Sequence, residues 1–276
     1  MPDTAYVERD DTIATVILNR PERLNALDLD TVTLLLRHLQ ELSHDDGVSS
    51  IIITGGGRAF CAGGDLGWAA AYPGGPANGL HVLAGHLHQA VLEIHRTGKP
   101  VIAAVNGVAA GAGFSLALAC DFRVLAETAT FRQAYTSAGL SIDGGGTFML
   151  ARLAGLARAL EMAAFDEPID AARAASIGLA TRIAATGAAV DGARRLACEL
   201  QARSLGAFAA SKRLLRRSAE TPLEVQLEHE RAGIIACART AEGAEGISAF
   251  TGKRVPDFPA ARMRDRDTVR TAERAT

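Results

Sequence analysis

The sequence has little of what would tie it to a membrane, an oxidising compartment or a nucleic acid. Its 276 residues include four cysteines, one tryptophan and three tyrosines, and 29 lysines and arginines stand against 31 aspartates and glutamates for a formal charge of −2. A balance so close to neutral gives no general attraction to nucleic acid or to anionic lipid. Cys61, Cys120, Cys198 and Cys237 are far apart and form no CxxC pair. They read as free thiols in a reducing compartment, and a cytoplasmic protein is expected. The opening MPDTAYVERDD lacks the basic and apolar regions of a secretory leader. Neither of the two main glycine-rich turns carries GxGxxG with its distant acidic partner, and GxxxxGK[ST] does not occur. Dinucleotides and P-loop nucleotides are therefore left without a signature.

What is present is apolar residue, 48% of the chain, enough for a sizeable core. Residues 101–120 carry no charge at all, and length alone would let them cross a bilayer. They hold Asn106, Gly107, Gly111 and Gly113, no Lys/Arg cluster marks one side, and no second candidate span exists. A buried strand (VIAAV), an Asn-Gly turn and a helix from about Gly113 describe them better.

Two strands are expected within residues 5–18, joined at Asp10-Asp11. Leu29, Val32, Leu35, Leu36, Leu39 and Leu42 keep helical spacing behind a candidate N-cap, Asp28. SSIIITGGG reads as a buried strand, 72–79 as a loop, Leu80 to His95 as a helix, and FRVLAE as a further strand. Strand and helix in alternation argue an α/β core over residues 1–190. Residues 191–258 read as a helical region with apolar residues in search of a partner surface, and 259–276 as a charged, disordered tail. Thr221-Pro222-Leu223-Glu224 has the order of a capping box. Lys212, Arg213, Arg216 and Arg217 read as a solvated helix face.

Two turns carry chemistry. AFCAGGDL at 59–66 follows one strand and GVAAGAGF at 107–114 ends another. Glycine lets a ligand approach the backbone, and a helix N-terminus offers unpaired N–H groups. Two such turns facing each other could hold one carbonyl oxygen as an oxyanion hole. Tight strand–helix packing would call for the same glycines.

NRPERLNALD at 19–28, AFCAGGDL at 59–66, KPVIAAVNGVAAGAGFSLALACDFRV at 99–124, the F-x-Q-A-Y-x-x-x-G-L-x-x-D-G-G-G-T run at 131–147 and FTGKRVPDF at 250–258 together resemble the crotonase, or enoyl-CoA hydratase/isomerase, superfamily over about residues 5–255. The resemblance implies a crotonase-like ββα spiral core and a helical C-terminal region that makes a homotrimer, or a dimer of trimers. It implies an acyl-CoA thioester as substrate, with coenzyme A as part of that substrate and neither a metal nor any other cofactor. The thioester oxygen would sit between the amides of Gly64 and Ala112. Coenzyme A would contact Arg23, Leu24, Ala26, Ala62, Asp65 and Leu66, with Phe250 and Lys253 reaching it from the helical region.

Hydratases of the family use two glutamates. At the corresponding places stand Ser115 and the segment ending in Tyr135, and neither serine nor tyrosine is an easy base at neutral pH. Asp143 matches the position of the acid/base in several double-bond isomerases of the family, including ones acting on dienoyl and ring-opened phenylacetyl thioesters. Proton transfer at Asp143 is the expected reaction; a turn Asp capping the following helix is the plain alternative. Three other readings stay open. His88 and Asp143 resemble the pair of aryl-CoA dehalogenases, with Tyr135 in the place of an aromatic residue, which would make a dehalogenase or acyl-CoA hydrolase. Asp143 could hold water in an atypical hydratase. A homologue without its glutamates could bind CoA esters or RNA without catalysis. Against the dehalogenase reading, His81, His88 and His95 fall on one stripe and read as a polar helix face.

Overall fold

A computed structural model describes residues 3–264. The described residues divide into two compact units, one up to Arg195 and one from Leu196.

The first unit is built on a short structural step used several times. β1 (Ala5–Asp10) and β2 (Ile13–Leu18) form an antiparallel hairpin across Asp11, whose φ is +52°. α1 (Leu29–His44) follows, and the Asp28 carboxylate accepts from Thr31 N–H at 2.9 Å, so the sequence-read N-cap is in place. β3 (Ser50–Gly55) pairs in parallel with β2, and after three residues β4 (Ala59–Cys61) starts a second sheet. α2 (Leu66–Ala71) and α3 (Pro76–Arg96) return the chain to the first sheet. The step then repeats: β5 (Val101–Val105) and β6 (Val108–Ala110) precede α4 (Ala112–Ala119), and β7 (Phe122–Ala126) and β8 (Thr130–Arg132) follow it. α5 (Gly146–Ala154), α6 (Leu156–Phe165), β9 (Ile169–Asp170), α7 (Ala171–Ser176) and β10 (Arg182–Ala184) complete the turns.

Each step adds one strand to a six-stranded sheet, ordered β1-β2-β3-β5-β7-β10, and one to a four-stranded sheet, ordered β4-β6-β8-β9. This is the ββα spiral that the resemblance implies. All six residues of β3 are buried, as are all five of β5. Strands covered on both faces have no solvent side to alternate towards, which explains their unbroken apolar runs. The charge-free stretch 101–120 becomes β5, β6 and α4, every residue of that helix being buried. Among the described residues no helix is long and apolar enough to cross a membrane.

α8 (Ala189–Gln201) runs across the division, and α9 (Leu205–Ser218), α10 (Leu223–Ala238) and α11 (Ala241–Thr251) form the second unit. Its polar hub is Glu242, 5% exposed, which accepts from Ser204 Oγ, Gly206 N–H and Arg262 Nε.

Several expectations need correction. The helix expected from Leu80 begins at Pro76, because proline at N1 supplies a pre-set φ and has no N–H to leave unpaired. Residues 258–264 are helical with Ala261 fully buried, so the part of the tail within the described residues is not disordered; positions 265–276 lie outside them. The capping box at Thr221 does not form: Pro222 is the N-cap, and Thr221 Oγ1 donates to Arg217 O in the preceding helix. Lys212 is 5% exposed, unlike the solvated face expected for it.

Candidate active site

The first glycine turn is held by side chains that lie far away in sequence. Asn25, fully buried at φ +57°, donates to Gly56 O and Ala59 O and accepts from Arg20 N–H. Asn106 donates to Gly55 O and Gly57 O at 2.9 Å each. Together the two amides clasp the link between β3 and β4 from both sides. Arg20 forms ion pairs with Asp28 (3.2 Å) and Asp65 (3.0 Å) and donates to Ala26 O. Asp65 also caps α2 by accepting from Trp68 N–H. Burial by itself favours the neutral acid, but the Trp68 amide and the Arg20 guanidinium outweigh it and hold the Asp65 carboxyl below its ordinary range.

These anchors lay residues 24–27 alongside 62–65. Ala62 N–H donates to Leu24 O, Leu27 N–H to Gly63 O, and Asp65 N–H to Leu27 O. The Leu27–Gly64 bridge is parallel, and its bonds use the carbonyl before Gly64 and the amide after it. The N–H of Gly64 itself therefore points away from Leu27. Ala112 opens α4, so its N–H has no acceptor within the helix. Among the described residues neither amide has a hydrogen-bond partner.

Both residues line one cavity of about 100 Å³. The turns that carry them are pressed together. Gly63 has φ +105°, and a Cβ there would stand 3.0 Å from Ala110 O and 3.4 Å from Ala112 N. A Cβ on Gly113 would come within 2.2 Å of Cys61 O. Close packing and open amides are thus served by the same glycines. Cys61 lies beneath the turn, fully buried, and burial pushes its thiol up to about 12, which leaves it a packing residue.

The far side of the cavity carries Tyr135 and Asp143. Tyr135 Oη donates to Asp143 Oδ1 at 2.6 Å, and Ser115 Oγ lies 3.4 Å from the same hydroxyl. Burial first, and then the neighbouring Asp143 carboxylate, push the phenol of Tyr135 above its ordinary value, so it stays protonated and donates. The Asp143 side chain does not cap α5. That helix has Gly145 at its N-cap with no side-chain bond, and only the Asp143 carbonyl reaches Gly146 N–H.

Gly64, Ala112, Tyr135, Asp143, Ala62 and Leu66 all line the cavity, and Arg23, Leu24, Ala26 and Asp65 lie on the segments that flank it. Phe250 and Lys253 are in the second unit, Phe250 86% exposed and Lys253 just past the end of α11 at φ +51°. His88 does not belong with this group. The wall that α3 gives to the cavity is Leu80, Leu83, Ala84 and Leu87, and His88 is exposed outside the lining. The helical period turns it away, so the dehalogenase-like pairing with Asp143 is not assembled. Trp68 and Tyr72 pack on each other at 5.0 Å and do not line the cavity either. Arg20, Asn25 and Asn106 were not singled out from the sequence. Their partners lie between 5 and 52 residues away, although the quoted runs at 19–28 and 99–124 contain all three residues.

A model of the enoyl-CoA hydratase/isomerase family matches residues 8–261. Among curated proteins, 1,2-epoxyphenylacetyl-CoA isomerase of Escherichia coli (strain K12) is 36% identical over 247 residues, covering 89% of this chain and 94% of that protein. A probable enoyl-CoA hydratase of Rhodobacter capsulatus is 38% identical over 258 residues, covering 92% and 97%. Among solved structures, an enoyl-CoA hydratase from Polaromonas sp. JS666 superposes with a TM-score of 0.87 at 38% identity, covering 91% of this chain and 98% of that one.

Proposed function

The chain belongs to the enoyl-CoA hydratase/isomerase family, and we propose that it shifts a carbon–carbon double bond along the acyl group of an acyl-CoA thioester, with Asp143 carrying the proton. It is an enzyme of that family, and the family acts on acyl-CoA thioesters. One observation supports the isomerase reading above the others: Asp143 is the only carboxylate lining a cavity that also receives the unpartnered amides of Gly64 and Ala112 among the described residues.

The thioester oxygen accepts from both amides. Asp143 removes a proton from C2 of a 3-enoyl thioester, and the electron pair of that bond moves onto the thioester oxygen as a dienolate. The two N–H groups hold the new negative charge. The protonated Asp143 then delivers its proton to C4, the electrons return, and a 2-enoyl thioester results. The same carboxylate serves as base and acid, so no second glutamate is needed. Tyr135 keeps Oδ1 engaged and leaves the other oxygen to face the substrate. Arg23, Leu24 and Ala26, with Ala62, Asp65 and Leu66 across from them, form the rim for coenzyme A. The shuttle calls for no metal or redox group.

The second unit exposes Leu215, Leu223, Ile234 and Phe250, each at least two-thirds accessible. Further copies of the chain cover that surface, as a homotrimer or a dimer of trimers. Four cysteines that form no disulfide among the described residues suit a reducing, cytoplasmic setting.

The test is 3-hexenoyl-CoA in D₂O with the wild type and Asp143→Asn. The expected product is 2-hexenoyl-CoA carrying deuterium from the solvent, with the rate falling about 1,000-fold in the variant. Retained rate in Asp143→Asn, release of free acid, or turnover limited to hydration of 2-enoyl-CoA would contradict the reading. CoA-ester binding with no turnover would point to a binding protein.

A further inference from the structure

The cavity that carries Asp143 is polar at two points and aliphatic elsewhere. Leu80, Leu83, Ala84 and Leu87 present one face of α3 at helical spacing, and Leu27 and Leu140 add to the wall. Among the described residues no Lys, Arg, His, Asn or Gln side chain lines it. Its two ionisable side chains, Tyr135 and Asp143, are bonded to each other. The one side-chain donor is therefore already committed, and the free amides are taken by the thioester oxygen in the mechanism above.

We propose that this site is selective for acyl groups without a charge of their own, alkyl or aryl, and rejects thioesters of dicarboxylic acids. The inference rests on the reading of the cavity as the acyl site. A second carboxylate entering it gives up its hydration and meets no cation. It finds no uncommitted side-chain donor and approaches the like charge of Asp143. An ionised group buried without a partner is among the most costly of all contacts. An alkyl chain of the same length gains from the same walls.

Hexanoyl-CoA and adipoyl-CoA test this directly. They share coenzyme A and chain length, differ in one terminal carboxylate, and contain no double bond to be moved. Calorimetric titration of the full-length protein should give a Kd for hexanoyl-CoA about 100-fold lower than for adipoyl-CoA. Leu83→Arg places a cation in the wall and should narrow that ratio at least about tenfold. Equal affinities in the wild type, or an unchanged ratio in a folded Leu83→Arg protein, would overturn the proposal. The isomerase reading fails separately: selective binding of hexanoyl-CoA without turnover of 3-hexenoyl-CoA would sink that reading and leave the selectivity standing. Turnover with equal affinities would do the reverse.

Discussion

The two ends of the cavity are made of different material. At one end the candidate groups are main-chain amides, placed by where β4 and β6 stop and where α4 begins. At the other end they are the side chains of Tyr135 and Asp143, on a stretch between β8 and α5 whose only regular element is one 3-10 turn, Thr136–Ala138. The first end needs only that the backbone be in place. The second depends on which side chains occupy a few loop positions. A shared frame can hold a thioester oxygen for many reactions, and the loop end selects among them.

Asp143 apart, Gly63→Ala should produce the largest change, breaking the comparison at the amide end. The added Cβ meets Ala110 O at 3.0 Å and sits on a backbone with φ +105°. Loss of alignment of one donor should lower kcat/KM about 100-fold, with about 1–3 kcal/mol of stability lost to backbone strain. Steady-state kinetics and chemical denaturation read the two effects. Tyr135→Phe probes the side-chain end. Removing the 2.6 Å bond to Asp143 should cost roughly tenfold in kcat, the worth of one hydrogen bond to a charged group, with KM within about threefold. A rise in KM at constant kcat would assign Tyr135 to binding instead.

Arg20→Ala reaches the site through its frame. The guanidinium bridges Asp28 and Asp65 with about 15% of its side chain exposed. Its loss should cost about 1–3 kcal/mol, seen as a fall of several degrees in Tm. The Asp65 carboxyl is held below its ordinary range in the folded protein, so its contribution is complete above about pH 4 and is lost as the pH falls through that lowered value. The gap in stability between wild type and Arg20→Ala should be level near neutrality and close in acid. The smallest effect belongs to Ala112→Gly. The amide remains, so kcat should stay within about threefold, with no more than about 1 kcal/mol of stability lost. A large loss there would mean that the Ala112 side chain matters and that the contrast between the two ends is false.

The same contrast governs what could be read from sequence. β2, β3 and β5 announce themselves as apolar runs, and α1 by its period and its Asp28 cap. The smaller sheet does not. β4, β6 and β8 have three residues each, too few to show alternation, and what defines them is pairing with one another. Pro76 reads locally as a loop residue in PGGPANG, yet it starts a 21-residue helix. Gly64, Ala112 and Asp143 were legible through the resemblance to a family, and the structure brings them to one cavity. His88 shares a spacing with dehalogenases but is on the wrong face of α3. Nothing local marks which carbonyls Asn25 and Asn106 clasp, since those are 31 to 51 residues away.

Isomerisation at Asp143 requires the thioester oxygen to sit within reach of both amides and the carbons beside it to face the carboxylate. A crystal structure with bound hexanoyl-CoA measures this most directly. The expected result is the oxygen at about 2.7–3.1 Å from the amide nitrogens of both Gly64 and Ala112, with the free Asp143 oxygen facing the carbons next to the carbonyl. An oxygen held elsewhere, or an Asp143 carboxylate swung out to solvent, would contradict it.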